Sequence, residues 1–319
     1  MGEIAISVEL DGEYRVLREE AGVVDRSDRG KLGLRGPEAA DYLQGQVTND
    51  VEALAPGEGC YAALLDRKGH MRADLRVLRL GDAELWLDTE SIALDAVLRH
   101  LETYKIGRQV EVAEVSREHA LLAVIGPAAT ELTGVGALSP EHAHREVDVG
   151  GVACRAVATD LGVDLIAPAA NAAAVRGSLL EAGVVAVSEA AAEIVRVEAG
   201  RPRFGAEMTE ATIPAEAGIN ERAVSFTKGC YIGQETVSRL HYRGNPNRHL
   251  RGLRLEAEAA RGQEIRLGER EVGRVGTACV SPALGPIALA IVRREAEPGE
   301  RVWVGEDGGS GEIVEIPFR

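Results

Sequence analysis

Two segments of the sequence share one pattern, and it limits what the chain can become. LGLRGPEAADYL (Leu32 to Leu43) and LAVIGPAATEL (Leu122 to Leu132) each read as a short apolar strand, a Gly-Pro break and an alanine-rich helical run. Proline has no N–H to waste at the first helical position and a φ already suited to helix, so Pro37 and Pro127 mark expected helix starts. A third such transition follows VDLIAP, where Pro168 precedes an alanine-rich run ending near Gly183. Any αβ protein reuses such units, but the pairing points to two related subdomains.

Alternating apolar and polar residues predict strands in DLRVLRL (Asp74 to Leu80), ELWLD (Glu84 to Asp88) and QVEVAEV (Gln109 to Val115), with a helix over SIALDAVLRHLETY between the last two. Strands that do not alternate strictly with helices indicate an α+β fold rather than one doubly wound sheet. After Arg248 the helical signal stops. Short apolar runs punctuated by Gly and Pro at intervals of roughly ten residues then predict a small β-barrel or sandwich, with RGNPNR (Arg243 to Arg248) as the linker into it. The chain has 319 residues, which is ample for three compact units.

Charge narrows the partners. With 36 basic and 51 acidic residues the formal net charge is −15, which argues against direct binding to nucleic acid or anionic membranes, since both need clustered positive charge. No apolar run approaches the roughly 20 residues needed to span a bilayer. The opening MGEIAISVELDGEYR lacks a basic segment followed by an apolar one. A cytoplasmic protein is expected. Cys60, Cys154, Cys230 and Cys279 are scattered without a C-x-x-C pair, so no protein-bound metal site is expected.

Four places carry candidate chemistry. In FTKGCYIGQETVSR, Cys230 lies beside Lys228 and just before an expected helix start at Gly233 to Gln234, two influences that lower a thiol pKa; burial as an inert cysteine is the alternative. Asp74 opens a strand after the turn RKGH, where its carboxylate can project into a cleft or stay in solvent. QGQVTND (Gln44 to Asp50) concentrates donors and acceptors, including Thr48 and Asn49, that suit either a polar heterocycle or turn formation. In IVRVEAGRPRFGAEM, Glu198 suits the forked donors of a 2-aminopyrimidinone edge, or a salt bridge to Arg196, Arg201 or Arg203.

Taken together, KGCYIGQETVSR, QGQVTND, the Asp74 strand, RVEAGRPRFG with IPAEAG, and VGRVGTACVSPALGPIALAIV resemble the YgfZ-type folate-binding proteins, which are related to the aminomethyltransferase (T-protein) of the glycine cleavage system. The resemblance implies a three-domain ring around a folate channel. Its expected parts are a discontinuous folate-binding domain (1–49 and 146–243), an inserted α+β domain (50–145) and a C-terminal β-barrel domain (244–319). It also implies tetrahydrofolate or a one-carbon derivative as cofactor, with Glu198, Asn49, Thr48, Arg203, Gln234 and Arg239 as binding residues. Cys230, Lys228 and Asp74 are the expected reactive groups. The cysteine signature favours support of iron–sulfur cluster assembly or repair, including the clusters of tRNA-modifying enzymes, with assembly proteins or cluster enzymes as partners. The alternative is aminomethyl transfer using Asp74.

Overall fold

The computed structural model describes residues 8–306 and 309–318. Residues 1–7, part of the stretch read above for targeting signals, lie outside them. Helix α1 (Val8–Glu19) leads into β1 (Gly22–Asp25), β2 (Gly30–Arg35) and α2 (Ala39–Gln44). Next come β3 (Gly59–Leu65), β4 (Met71–Gly81), β5 (Glu84–Thr89), α3 (Leu94–Tyr104) and β6 (Glu111–Glu114). The following pass runs β7 (His119–Ile125), α4 (Ala129–Leu132), β8 (His144–Val149), β9 (Val152–Thr159), β10 (Gly162–Pro168), α5 (Ala172–Glu181) and β11 (Val185–Ala186). Helices α6 (Glu189–Glu198), α7 (Asn220–Ala223) and α8 (Gln234–Arg243) precede the last strands. Those are β12 (Arg248–Leu255), β13 (Glu264–Leu267), β14 (Arg270–Ser281), β15 (Gly285–Arg293), β16 (Arg301–Val304) and β17 (Gly309–Val314).

The strands form a six-stranded sheet ordered β11-β1-β7-β10-β9-β8, a five-stranded sheet ordered β3-β4-β5-β2-β6, and a closed barrel ordered β12-β15-β14-β13-β16-β17. This is the expected α+β class with a C-terminal barrel. The two Gly-Pro units fall one in each sheet. Gly36 and Gly126 follow β2 and β7 at φ 138° and 130°. A side chain at either would collide with backbone: a Cβ on Gly36 would lie 2.1 Å from the Gln109 carbonyl oxygen, and one on Gly126 2.4 Å from that of Glu20. The helices start two residues after each proline, at Ala39 and Ala129, because Pro37 and Pro127 sit in the turn itself.

Sheet membership departs from the expected domain cuts. A break after residue 49 separates β2 from its partners, since Leu32 pairs with Leu87 of β5 and with Glu114 of β6. A break after 145 falls inside β8. Strand pairing over tens of residues overrides the order of the chain here, and among the described residues before Val51 only β1 joins the six-stranded sheet.

The two sheets face each other across a mixed seam. Ala73, Leu75 and Val77 point from β4 into the core beneath the five-stranded sheet, so the alternate residues Asp74, Arg76 and Leu78 face the other sheet. Leu78, Trp86, Leu121, Val157 and Ile166 fill part of this seam with side chains from α1 and α6. Arg76 crosses it. Its Nε donates to Asp88 of β5 at 2.6 Å and its terminal nitrogen to Asp164 of β10, also at 2.6 Å. Arg29 adds a second guanidinium on Asp88 at 2.9 Å. Asp88 is buried and its carboxyl is held below the usual carboxylate range by Arg76 and Arg29, which outweigh the opposing effect of burial.

The barrel docks through the end of α6. Arg196 donates to Glu207 at 3.0 Å and to the Thr277 hydroxyl of β14 at 2.8 Å. Glu198 accepts from Tyr14 of α1 at 3.0 and 3.2 Å and from Ser281 at the end of β14.

Removing one member of a buried charge cluster strands the others. Arg76→Met therefore lowers unfolding free energy by about 3–5 kcal/mol, measurable by urea titration. The exposed pair Arg35 and Glu84 serves as control, where Arg35→Met changes stability by less than about 1 kcal/mol.

Candidate functional site

A cavity of about 620 Å³ opens at one end of the seam, walled by both sheets, the segment Arg201 to Ala206 and α7. Asp74 stands in its wall. The β3–β4 hairpin, whose register pairs Ala63 with Asp74, brings Tyr61 alongside. The Tyr61 hydroxyl donates to Asp74 Oδ2 at 2.8 Å. The other carboxylate oxygen, Oδ1, is buried and has no hydrogen-bond partner. Thr89 fixes the backbone at this point by donating to the Asp74 carbonyl at 2.7 Å. Burial pushes the Asp74 carboxyl up to about 6, helped by the charge of Glu90 and opposed by the Tyr61 hydrogen bond and the Arg29 guanidinium. A carboxyl with that affinity exchanges protons close to neutral pH, and Oδ1, buried but unpartnered, is the oxygen with unused hydrogen-bonding capacity.

The facing wall is rich in arginine. Arg222 lies over the Tyr61 ring, 5.3 Å from its centroid, and donates to Glu141. Arg203 reaches Glu189 at 3.2 Å and Glu193 at 3.3 Å. Phe204 and Ile92 supply apolar surface in the same lining. His142 completes it beside Glu141.

Of the expected site residues, Asp74 and Arg203 line this cavity. The others are absent from its lining. Lys228 is buried and its ammonium donates to the carbonyls of Gln44, Val47 and Asn49 at 2.6, 2.8 and 2.7 Å. Burial pulls it down to about 8, so at neutral pH it still offers three N–H groups for three carbonyls and none for a thiol. Thr48 is buried, donating to the Ala223 carbonyl and accepting from the Ala63 amide at 2.9 Å. Asn49 donates to the Tyr61 and Arg222 carbonyls at 2.8 and 3.1 Å. The loop read as a ligand cradle thus braces the strand and helix that carry Tyr61 and Arg222.

Cys230 is exposed in the loop before α8. Gln234 turns back to the Gly229 carbonyl at 3.4 Å and Arg239 is exposed on α8. Glu198 departs most from expectation. The hydroxyls of Tyr14 and Ser281 occupy its oxygens where α1, α6 and the barrel meet. Tyr61, Arg222, Glu141 and Glu90 were not anticipated. Tyr61 alone had a readable signal: counting back across the turn DRKGH from Asp74 lands in GCYAALL, and an aromatic there belongs to the paired strand.

Among the described residues no cluster of three His, Cys, Asp or Glu is placed to hold a metal ion. No helix among them is long and apolar enough to cross a membrane.

The GCVT N-terminal domain family matches residues 6–228. An aminomethyltransferase of Rubrobacter xylanophilus is 31% identical over 97% of this chain and 86% of its own length. One from Symbiobacterium thermophilum is 32% identical, over 96% of this chain and 88% of its own length. Among solved structures, the glycine cleavage system aminomethyltransferase T of Bartonella henselae superposes with a TM-score of 0.86 at 23% identity, covering 97% of this chain and 89% of that one, which shows a shared fold. These likenesses overturn the iron–sulfur reading. The relatives carry the name aminomethyltransferase, and Cys230, on which that reading rested, lies outside the cavity lining. By the span of the family match and by relatives more than 30% identical along nearly its whole length, the chain belongs to the GCVT aminomethyltransferase family.

Proposed function

We propose that the protein is a tetrahydrofolate-dependent aminomethyltransferase whose proton-handling group is Asp74. The observation that carries this reading is the Asp74 carboxyl itself, raised to about 6 in a cavity wall with one oxygen hydrogen-bonded to Tyr61 and the other unpartnered. The family's aminomethyltransferases support the reaction class.

The cavity suits the cofactor. Its volume, about 620 Å³, is that of sites for drug-sized ligands. The unpartnered Asp74 oxygen offers an acceptor for a ring N–H, Phe204 and Ile92 offer apolar contact, and Arg203, although shared with Glu189 and Glu193, has guanidinium N–H groups on the lining for a carboxylate tail. When bound, tetrahydrofolate supplies the nitrogen nucleophiles that take up a one-carbon unit. Asp74 Oδ1 accepts and returns a proton at that nitrogen. Tyr61 fixes the carboxyl through Oδ2 and leaves Oδ1 free, and the cavity walls limit competing water. The folate contacts, the aminomethyl donor and the roles of Tyr61 and Arg203 belong to this proposal.

Purified protein incubated with tetrahydrofolate and an aminomethyl-loaded lipoyl carrier is expected to release ammonia and form methylenetetrahydrofolate. Absence of product, with folate binding demonstrated, rules the reaction out. Asp74→Asn lowers turnover by about 10²–10⁴-fold. The same change raises stability at pH 7.5. Because the folded carboxyl binds its proton more tightly than the ordinary 3.8, its favourable contribution is present below that pH and lost as pH rises through about 6. Ionised Asp74 then costs on the order of 1–3 kcal/mol, which asparagine removes; melting temperatures at pH 5 and 7.5 check the sign. Activity falls as pH drops through about 6. Glu198→Gln lowers the melting temperature but leaves the tetrahydrofolate Kd within about threefold, measured by calorimetry, as the hydrogen bonds of Glu198 run to Tyr14 and Ser281.

A further inference from the structure

His142 combines two costs in one residue of the cavity wall. Its backbone has φ 69°, the only non-glycine residue at positive φ among the described residues. Both imidazole nitrogens are buried without a hydrogen-bond partner. Glu141 Oε1 stands 3.6 Å from Nε2, beyond hydrogen-bond reach, and is engaged by Arg222. Neither cost is required by the chain path. The backbone bonds at this position, from the His142 amide to the Ala158 carbonyl at 2.8 Å and from the Ala143 amide to Pro140 at 2.9 Å, are available to any residue, and asparagine or glycine would adopt the same φ with less strain.

Buried polar atoms in native proteins almost always have partners, and strain of this kind concentrates where a ligand is clamped. The residue lines the cavity while both ring nitrogens lie just beneath its surface, so a ligand in the cavity reaches them when the ring turns toward it. We propose that His142 is a ligand-binding residue, its imidazole hydrogen-bonding an uncharged edge of the heterocyclic ring that occupies the cavity. This rests on the folate reading above and extends it to the ring-recognition wall. The ring's chemistry fits an uncharged partner. Burial, with Arg76 and Arg222 nearby, pushes the imidazole down to about 4, so at neutral pH it presents one N–H donor and one bare nitrogen. A reduced pterin displays ring N–H groups, a carbonyl and an exocyclic amine, and can match either. A carboxylate tail is better served by a guanidinium than by a neutral imidazole, and Arg203, shared with Glu189 and Glu193, is on the same lining.

The test compares the full-length protein with His142→Asn and His142→Phe, titrated with tetrahydrofolate and with 6-methyltetrahydropterin, which has the ring but no glutamate tail. Calorimetry gives Kd, and melting temperature without ligand reports the fold. His142→Phe is expected to weaken both ligands at least tenfold. His142→Asn is expected to weaken both while melting at the same temperature as the parent or higher, because asparagine relieves the left-handed backbone. Unchanged affinity for the pterin in both variants overturns the proposal and leaves the folate reading standing. Loss of melting temperature in both variants, with affinity kept by the folded fraction, assigns the ring to packing and also overturns it. If the parent binds neither ligand, the folate reading itself fails, a pattern distinct from either.

Discussion

Arg76 is the constraint around which the rest is arranged. Its guanidinium spans the seam between sheets to Asp88 and Asp164, and a buried charge cluster of this kind holds only if every member is paired. That fixes how β4, β5 and β10 approach one another. It also decides what the cavity contains, because residues two apart on a strand share a face. Asp74 is on the same face as Arg76, so the strand that supplies the bridge also delivers a carboxyl to the opening beyond it.

Two sets of buried polar groups contrast. Lys228, Arg196 and Glu198 are saturated, each hydrogen-bonded to groups from distant parts of the chain, and they act as joints. Asp74 Oδ1 and both His142 ring nitrogens are left without partners in residues of the cavity lining. Saturated groups favour one arrangement of backbone, while unsaturated ones keep binding capacity for something else. For the proposed function that contrast favours the Asp74 wall over Lys228, and Cys230 lies outside the cavity lining.

Local patterns were legible in the sequence. Alternation in DLRVLRL located the Asp74 strand, the Gly-Pro breaks located two strand–helix turns, and the loss of helical periodicity after Arg248 located the barrel. What depends on distant pairing was not legible. β2 belongs with β5 and β6 because of a register that no local signal sets. Thr48 and Asn49 looked like ligand contacts because hydrogen-bonding capacity is the same whether its partner is a pterin or a carbonyl more than 170 residues away. Lys228 misled for the same reason, since its neighbour in sequence is a cysteine and its neighbours in space are three carbonyls.

The Glu198 joint has a consequence for how the chain is made. Its hydroxyl partners are Tyr14, which precedes it by 184 residues, and Ser281, which follows 83 residues after it; the Phe318 amide, later still, donates to its backbone carbonyl at 3.0 Å. Helix α6 therefore cannot settle its terminal carboxylate while the sheets are being synthesised. The sheet-bearing part reaches its final form only when the barrel, made after it, closes over it, so the order of synthesis and the order of assembly differ at this joint.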